Sequence, residues 1–471
     1  MMNNMLNEHG VTFKDLEKKI FEAACGIARN AAKDILESYD DSLAQTRDRK
    51  LYRDKGRRKT VIKTVFGEVE YSRRIYRTET DEGIRYVYLL DEELDISRIG
   101  RFSENMTEIL VDKVCESSYR VSARETVHTT GQTISHTGVW NIIQALGGEC
   151  EHRDNELIKR HKEGMSSGER TAPVLFEEAD GIYISLQQEE NEKCELKAGI
   201  AYDGWEKTGS DRYALSGKMT VCTAKSAKEF RELFEASIAE IYDTGETDMK
   251  ILNADGAGWI RKLCGPDDVF QLDPFHRNRA IRENLPYEEA RNAVHEYLDA
   301  QDIDGMFRYL EIYRDSLLDD DEIASAGELI TYFRNNSDGL IPYMDRGLDL
   351  PVRRAGLEYR GMGTMEAHNW SVIAKRMKHN HTSWSIEGAD NLARILARRD
   401  CGRLGDVTER IDAGRFTEEV LQEVDEDILS AANIPRYIGK GYLYPVRGSL
   451  PKFDGSNGPV SQAYKNYLTG F

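Results

Sequence analysis

The chain has 471 residues, 40% of them hydrophobic and 31% charged, and a net charge of −19. Its length asks for about two to four domains, no apolar run is long enough to cross a bilayer, and the residues up to Lys18 form no secretory segment. The overall acidity speaks, at face value, against nucleic acid as a partner. Seven scattered cysteines without a Cys-x-x-Cys pair argue for a reducing, cytoplasmic setting and against a structural zinc site.

Residues 8–45 read as helix, with Leu16, Ile20, Ala23 and Ile27 recurring at helical spacing. Two β-rich runs, 60–66 and 69–76, flank Gly67-Glu68, a hairpin signal. They lie in a basic block. Between Arg47 and Arg77 twelve Lys or Arg face four acids, a net +8 in 31 residues that can neutralise phosphates locally. Arg57, Arg58, Lys59, Arg73 and Arg74, with Tyr71 and Tyr76 interleaved, are the candidate DNA contacts. A solvated surface hairpin would have the same composition. Further on, 118–129 and 134–146 are helical and joined by Thr130-Gly131-Gln132-Thr133, which fits a helix-turn-helix. Gly147 to Arg170 is charged and irregular, a linker or an exposed helix.

Residues 172–276 alternate in type. Strands are expected at 172–186, 196–203 and 212–224, a helix at 226–243, a strand at 249–254, a short helix at 257–263 and a strand at 268–273. Three strands before the first helix, then α-β-α-β, is the order of an RNase H-like mixed sheet. Its first strand is central and its fourth lies beside it. Two aspartates, Asp180 and Asp255, end β-prone runs 75 positions apart, each followed by glycine. That order makes them neighbours. A carboxylate at a strand end beside a small residue suits an oxygen-seeking divalent cation; Asp-Gly is equally a turn signal.

Residues 277–355 read as helical and acidic, and 405–471 show no catalytic pattern beyond an acidic helix at 417–431. Between them, Gly361 to Glu366 leads into a helix through Lys378 that sets Glu366, Asn369, Ile373 and Arg376 on one stripe. A third carboxylate on such a helix completes a site for two Mg²⁺ or Mn²⁺ ions about 3.5–4 Å apart. Glu366 is the choice for that role, with Glu177, Glu178 and Glu387 as competitors. Lys375, Arg376 and Lys378 are candidates for phosphate contact. Trp205 and Trp259 read as core residues.

One ordered set of segments carries a family resemblance. It includes Thr64 to Val69, Arg73 to Tyr76, Leu89 to Glu92, Ser118-Tyr119-Arg120, Glu178-Ala179-Asp180-Gly181 and Tyr202-Asp203-Gly204-Trp205. It continues through Asp255 to Ile260, Gln271 to His276, Gly363 to Glu366, Arg376-Met377-Lys378, and Ser383-Trp384-Ser385 with Gly388-Ala389. In these the chain resembles bacterial insertion-sequence transposases of the Lre type, relatives of the mutator-like DDE transposases. The resemblance implies an RNase H-like core interrupted by a helical insertion, with Asp180, Asp255 and Glu366 as the catalytic and metal-holding triad. Asp273-Pro274-Phe275-His276 resembles the Asp/Cys-x-x-His signature of those relatives, which makes Asp273 and His276 accessory candidates; a buried structural histidine is the other reading. The implied partners are double-stranded DNA, as element ends and target, and further copies of the chain assembled on it.

The expected organisation is an N-terminal helix (1–45), a basic β-hairpin region (46–100) and a helix-turn-helix region (101–165). The core follows in two parts (166–276 and 356–404) around a helical insertion (277–355), and a C-terminal segment (405–471) closes the chain. The expected function is cleavage and transfer of DNA strands at terminal inverted repeats. A DNA-binding derivative without catalysis and a stand-alone metal nuclease fit parts of the same pattern.

Overall fold

The computed structural model describes residues 12–80, 83–94, 102–187, 192–378 and 382–408, so the expected helix at 417–431 lies outside the described residues. The chain divides into two units. One comprises residues 1–109, 123–134 and 409–471, and the other 110–122 and 135–408.

The first unit opens with α1 (Phe13–Thr46), whose N-terminus is closed by a reciprocal capping box between Thr12 and Asp15. Strands β1 (Arg53–Thr64), β2 (Gly67–Thr80) and β3 (Gly83–Val87) form an antiparallel sheet in that order. Along β2, Val69 and Tyr71 point inward while Glu68 and Glu70 face solvent, as a half-buried strand requires. Those inward residues, with Ile62 and with Leu90 of α2 (Leu89–Glu93), pack against Ala32, Leu36, Tyr39 and Leu43 of α1. β1 runs longer than its apolar run because the exposed residues 53–59, five of them basic, extend it. Helices α3 (Glu104–Glu116) and α4 (Tyr119–Thr130) each contain residues of both units.

In the second unit, α5 (His136–Lys162) runs much further than the predicted 134–146 and takes up most of the segment read as a linker or an exposed helix, of which the helix is what forms. Within α5 Gly147 packs against Asn391 so closely that an added Cβ would lie 2.2 Å from the Asn391 Cβ, which leaves no room for a side chain. Strands β4 (Val174–Ser185), β5 (Lys193–Tyr202), β6 (Trp205–Lys207), β7 (Tyr213–Leu215) and β8 (Met219–Thr223) follow, then α6 (Ala227–Ile241), β9 (Met249–Ala254) and β10 (Val269–Leu272). Five of them form a mixed sheet in the order β10-β9-β4-β5-β8, with β4 central. Strands β5 and β8 continue it antiparallel, whereas β9 and β10 run parallel to β4. The expected strand at 212–224 is two, broken at Gly217, and the short helix at 257–263 is only a single 3-10 turn at Arg261–Leu263.

After β10, four helices, α7 (Pro274–Asn284), α8 (Glu288–Asp299), α9 (Ile303–Ser316) and α10 (Asp320–Asn335), build a cluster of apolar side chains. Ile281, Val294, Leu310, Leu329 and Phe333 join it to Leu252 and Phe270 of the sheet. A short strand, β11 (Leu357–Glu358), then pairs with β6, and α11 (Met365–Asn369), a π-helical turn (Trp370–Ala374) and α12 (Lys375–Met377) follow. Helix α13 (Ile386–Asp400) is buried along most of its length. No described helix is long and apolar enough to cross a membrane.

Helix α13 is tied to its neighbours by a buried ionic network. Arg394 pairs with Asp154 of α5 and with Asp390 at 3.1 Å, and donates to the Thr223 hydroxyl at 3.1 Å. Asp154 also accepts from Arg398 at 2.5 Å. Removing one partner of such a network leaves buried charge without compensation. Asp154→Ala is therefore expected to lower the unfolding free energy by about 3–5 kcal/mol, as measured by urea denaturation. A loss below about 1 kcal/mol, the value of an exposed pair, would contradict the buried arrangement.

Candidate metal centre

Three parallel strands carry the same pattern, a polar residue, an apolar one and an aspartate, inside β4 and at the ends of β9 and β10. They are Glu178-Ala179-Asp180, Asn253-Ala254-Asp255 and Gln271-Leu272-Asp273. Register aligns them: Glu178 sits opposite Asn253 and Ala179 opposite Ala254, while Gln271 sits opposite Asn253 and Leu272 opposite Ala254. Because side chains alternate across a strand, the polar residues form one tier and the aspartates the next, on one face. The apolar residues between them point the other way, into the core with Leu252 and Phe270.

Asp180 and Asp255 line one small cleft together with His276 and Glu366. The two Asp-Gly pairs differ in conformation. Asp180-Gly181 lies inside β4, which continues to Ser185. Asp255 follows the end of β9, and Gly256 takes φ +84°, a left-handed conformation that an L side chain rarely adopts. Asp180 Oδ1 accepts from the Gly181 N–H at 2.7 Å, and its Oδ2 accepts from Asn369 Nδ2 at 2.8 Å and lies 3.9 Å from His276 Nε2. Asp255 Oδ1 accepts from the Ala257 N–H at 2.7 Å, and its carbonyl oxygen accepts from the Tyr332 hydroxyl at 2.7 Å. Glu366, exposed on α11, brings a carboxylate oxygen over the cleft. One ligand atom each from Asp180, His276 and Glu366 lie within 4.8 Å of one another.

The electrostatics are set first by burial and only then by neighbouring charge. Burial raises the Asp180 carboxyl to about 6; Asp255 and Glu366 push the same way, while His276 draws it down. Burial also raises Asp255, against the Ala257 N–H and His276. Among the described residues the only ion-pair partner of the three carboxylates is His276. Asn369 is 5% exposed, and its Oδ1 has no hydrogen-bond partner. Hard oxygen donors on rigid elements, a buried amide oxygen without a hydrogen-bond partner and no lysine or arginine ion-paired to the three carboxylates, both among the described residues, together fit a divalent cation.

The accessory candidates separate. Asp273 has both oxygens engaged: Oδ1 accepts from the Phe275 and His276 N–H groups at 2.8 and 3.2 Å, and Oδ2 from Asn253 Nδ2 at 2.7 Å. It caps α7 and thereby holds His276 at the cleft. Of the competitors for Glu366, Glu387 is exposed on α13, and Glu177 points to the opposite face of β4, buried and pushed up to about 7 by that burial. Glu178 is buried beneath the aspartates. Asn369 went unrecognised as a contact of Asp180, although it shares the predicted stripe with Glu366.

Three expected DNA contacts need correction. Arg73 is buried, pairs with Asp91 and lies 3.8 Å from the centre of the Tyr88 ring. Arg74 is held by Asp40 and Asp41, both at 2.6 Å. Arg376 is buried, donates to the Val114 carbonyl at 2.6 Å and lies near the rings of Tyr119 and Trp384. Each guanidinium is engaged inside its own unit. Arg57, Arg58 and Lys59 are exposed on β1, with Arg57 paired to Asp41 and Lys59 to Glu70, and Lys378 is exposed after α12. Two helices, α4 and α5, stand where the helix-turn-helix is expected, and α5 uses Val139, Ile142, Ile143 and Leu146 as core.

Because Asp180 titrates near 6 when folded, against 3.8 ordinarily, the folded chain keeps a proton that the unfolded chain releases between those values. Stability from this group therefore falls as pH rises through that window. In chelator, Asp180→Asn is expected to melt progressively higher relative to wild type between pH 4 and pH 7. A difference in melting temperature independent of pH would contradict the assignment.

A family model described as "Uncharacterised protein family (UPF0236)" matches residues 6–410. The chain is 24% identical over 445 residues to a UPF0236 protein of Caldanaerobacter subterraneus subsp. tengcongensis whose name joins eleven designations, across 91% of this chain and 88% of that one. It is 23% identical over 450 residues to UPF0236 protein TTE2489 of the same organism, across 92% and 90%.

Proposed function

We propose that this chain, which belongs to the UPF0236 family, is a DDE-type transposase. It binds the terminal inverted repeats of its own mobile element and cuts and joins DNA strands with two Mg²⁺ or Mn²⁺ ions. The observation that carries this reading is the convergence of Asp180 and Asp255, from adjacent parallel strands, with Glu366 in one cleft. The sheet order, central first strand and parallel fourth and fifth, supports an RNase H-like core. The four helices between β10 and α11 are the counterpart of the expected insertion. One relative's eleven designations within a single organism suit the copy number of a mobile element.

When bound, the two cations would activate water or a 3′-hydroxyl as nucleophile and neutralise charge on the leaving oxygen. The chain's own part is positioning. Asp180 and Asp255 present carboxylates from a rigid sheet, and Glu366 adds a third from α11. Asn369 fixes the orientation of Asp180. His276 Nε2, beside Asp180 Oδ2, can hold a proton at the edge of the cleft. Arg57, Arg58 and Lys59 bind phosphate by charge, and Lys378 adds a further cation. Joining two ends of an element implies a homo-oligomer on double-stranded DNA.

Asp255→Asn is expected to bind end DNA as wild type does while strand cleavage and joining fall by on the order of 10²–10³-fold or more, read in a plasmid strand-transfer assay. Joining at the wild-type rate would overturn the triad. Cleavage without joining by the wild type would favour a stand-alone nuclease, and end binding without either would favour a non-catalytic derivative. Replacing Arg57, Arg58 and Lys59 with alanine should weaken binding evenly across DNA sequences. It should also flatten the dependence of log affinity on log salt by about 0.9 for each phosphate that the chain no longer neutralises. An unchanged salt slope would place DNA elsewhere on the chain.

A further inference from the structure

We infer that Glu178 is the positioning residue that holds Glu366 over the cleft, an inference that rests on the cation site proposed above. Glu178 is 0% exposed, and six donors converge on it. The Tyr202 hydroxyl of β5 and the Thr364 hydroxyl each donate to Oε1 at 2.7 Å. Asn253 Nδ2 of β9 donates to Oε2 at 3.1 Å, as do the N–H groups of Gly363, Thr364 and Met365 at 3.1, 3.0 and 3.2 Å. All six are donors, so only the acceptor-only carboxylate satisfies them together. Burial raises its pKa above the ordinary carboxylate value, and hydrogen bonds from Thr364, Tyr202 and Met365 offset part of that rise.

The segment that Glu178 grips ends one residue before Glu366. The three N–H groups belong to the first residue of α11, its N-cap Thr364 and the preceding Gly363, where no intrahelical acceptor exists. One turn on, Asn369 is tied to Asp180. The peptide of Glu366 is therefore pinned on both sides, while its own side chain is exposed and in no ion pair among the described residues. The placement of its carboxylate comes from the backbone, and the backbone is set by Glu178. A buried carboxylate is a costly means of packing β4 against a loop, a task for which an apolar side chain would suffice. The same acid also joins the first ligand to the third along one strand: Asp180 is two residues beyond Glu178.

The test is Mn²⁺ titration of the chelator-stripped full chain, followed by the electron paramagnetic resonance signal of free Mn²⁺, in wild type, Glu178→Gln, Glu366→Gln and the double variant. Glu178→Gln turns an acceptor into a donor among donors, and is expected to weaken Mn²⁺ binding by about 10–100-fold, the usual effect of losing a residue that orients a ligand. Glu366→Gln should cost a comparable factor, and the double variant no more than the larger single loss. Thr364→Val, which removes one donor of six, should weaken binding less and in the same direction. Wild-type affinity in Glu178→Gln, or a double variant that loses the product of both factors, overturns the inference and leaves the cation site standing. Should Glu178→Gln not fold by circular dichroism, unchanged affinity in folded Thr364→Val overturns it. A wild type that binds no Mn²⁺ overturns the cation site and this inference with it.

Discussion

The parallel pairing of β4 with β9 sets two aspartates side by side, and the rest of the second unit is arranged around that pair. Opposite each other in register are Glu178 and Asn253, then Ala179 and Ala254, so the next residues on each strand are Asp180 and Asp255. Like charges held this close repel, and burial strengthens the repulsion by removing water. A chain built for stability alone would have placed a lysine or arginine between them. Among the described residues none is ion-paired to either, and the half-buried His276 imidazole lies 3.9 Å from Asp180. The sheet thus maintains an unfavourable charge arrangement that a divalent cation would relieve.

Around the pair, each orienting contact is short and comes from a different element. Gly181, Ala257 and Asn369 fix individual oxygens of the aspartates, and Asp273 caps α7 to hold His276. Below the aspartates lies a tier of buried polar groups. Gln271 donates to Asn253 Oδ1 at 2.8 Å, and Asn253 in turn donates to Glu178 and Asp273. The Tyr343 N–H donates to Gln271 at 2.8 Å, which brings the segment before β11 into the same network. Buried networks of this kind are rigid when every member is satisfied. The π-helical turn that follows Asn369 widens the helix just beyond the cleft, a feature often found beside functional residues.

Much of this was legible in the order of element types. Runs of β-branched and aromatic residues locate the strands, and their succession relative to the helices makes Asp180 and Asp255 neighbours. The repeated polar-x-Asp ending was also visible, though its meaning depends on register, which a single strand does not reveal. Charge counting failed where partners are remote. Arg74 looks free in the basic block, yet Asp40, 34 residues earlier on α1, neutralises it, and Arg376 is engaged by a carbonyl 262 residues away. Glu178 was a plausible cation ligand until the loop 186 residues further on closed over it.

The central claim is that Asp180, Asp255 and Glu366 hold two cations at one site. The most direct measurement is the electron paramagnetic resonance spectrum of the protein loaded with two equivalents of Mn²⁺. A spin-coupled pair at about 3.5–4 Å that disappears in Asp180→Asn is expected. A spectrum of isolated ions only, or a coupled pair that survives Asp180→Asn, would contradict it.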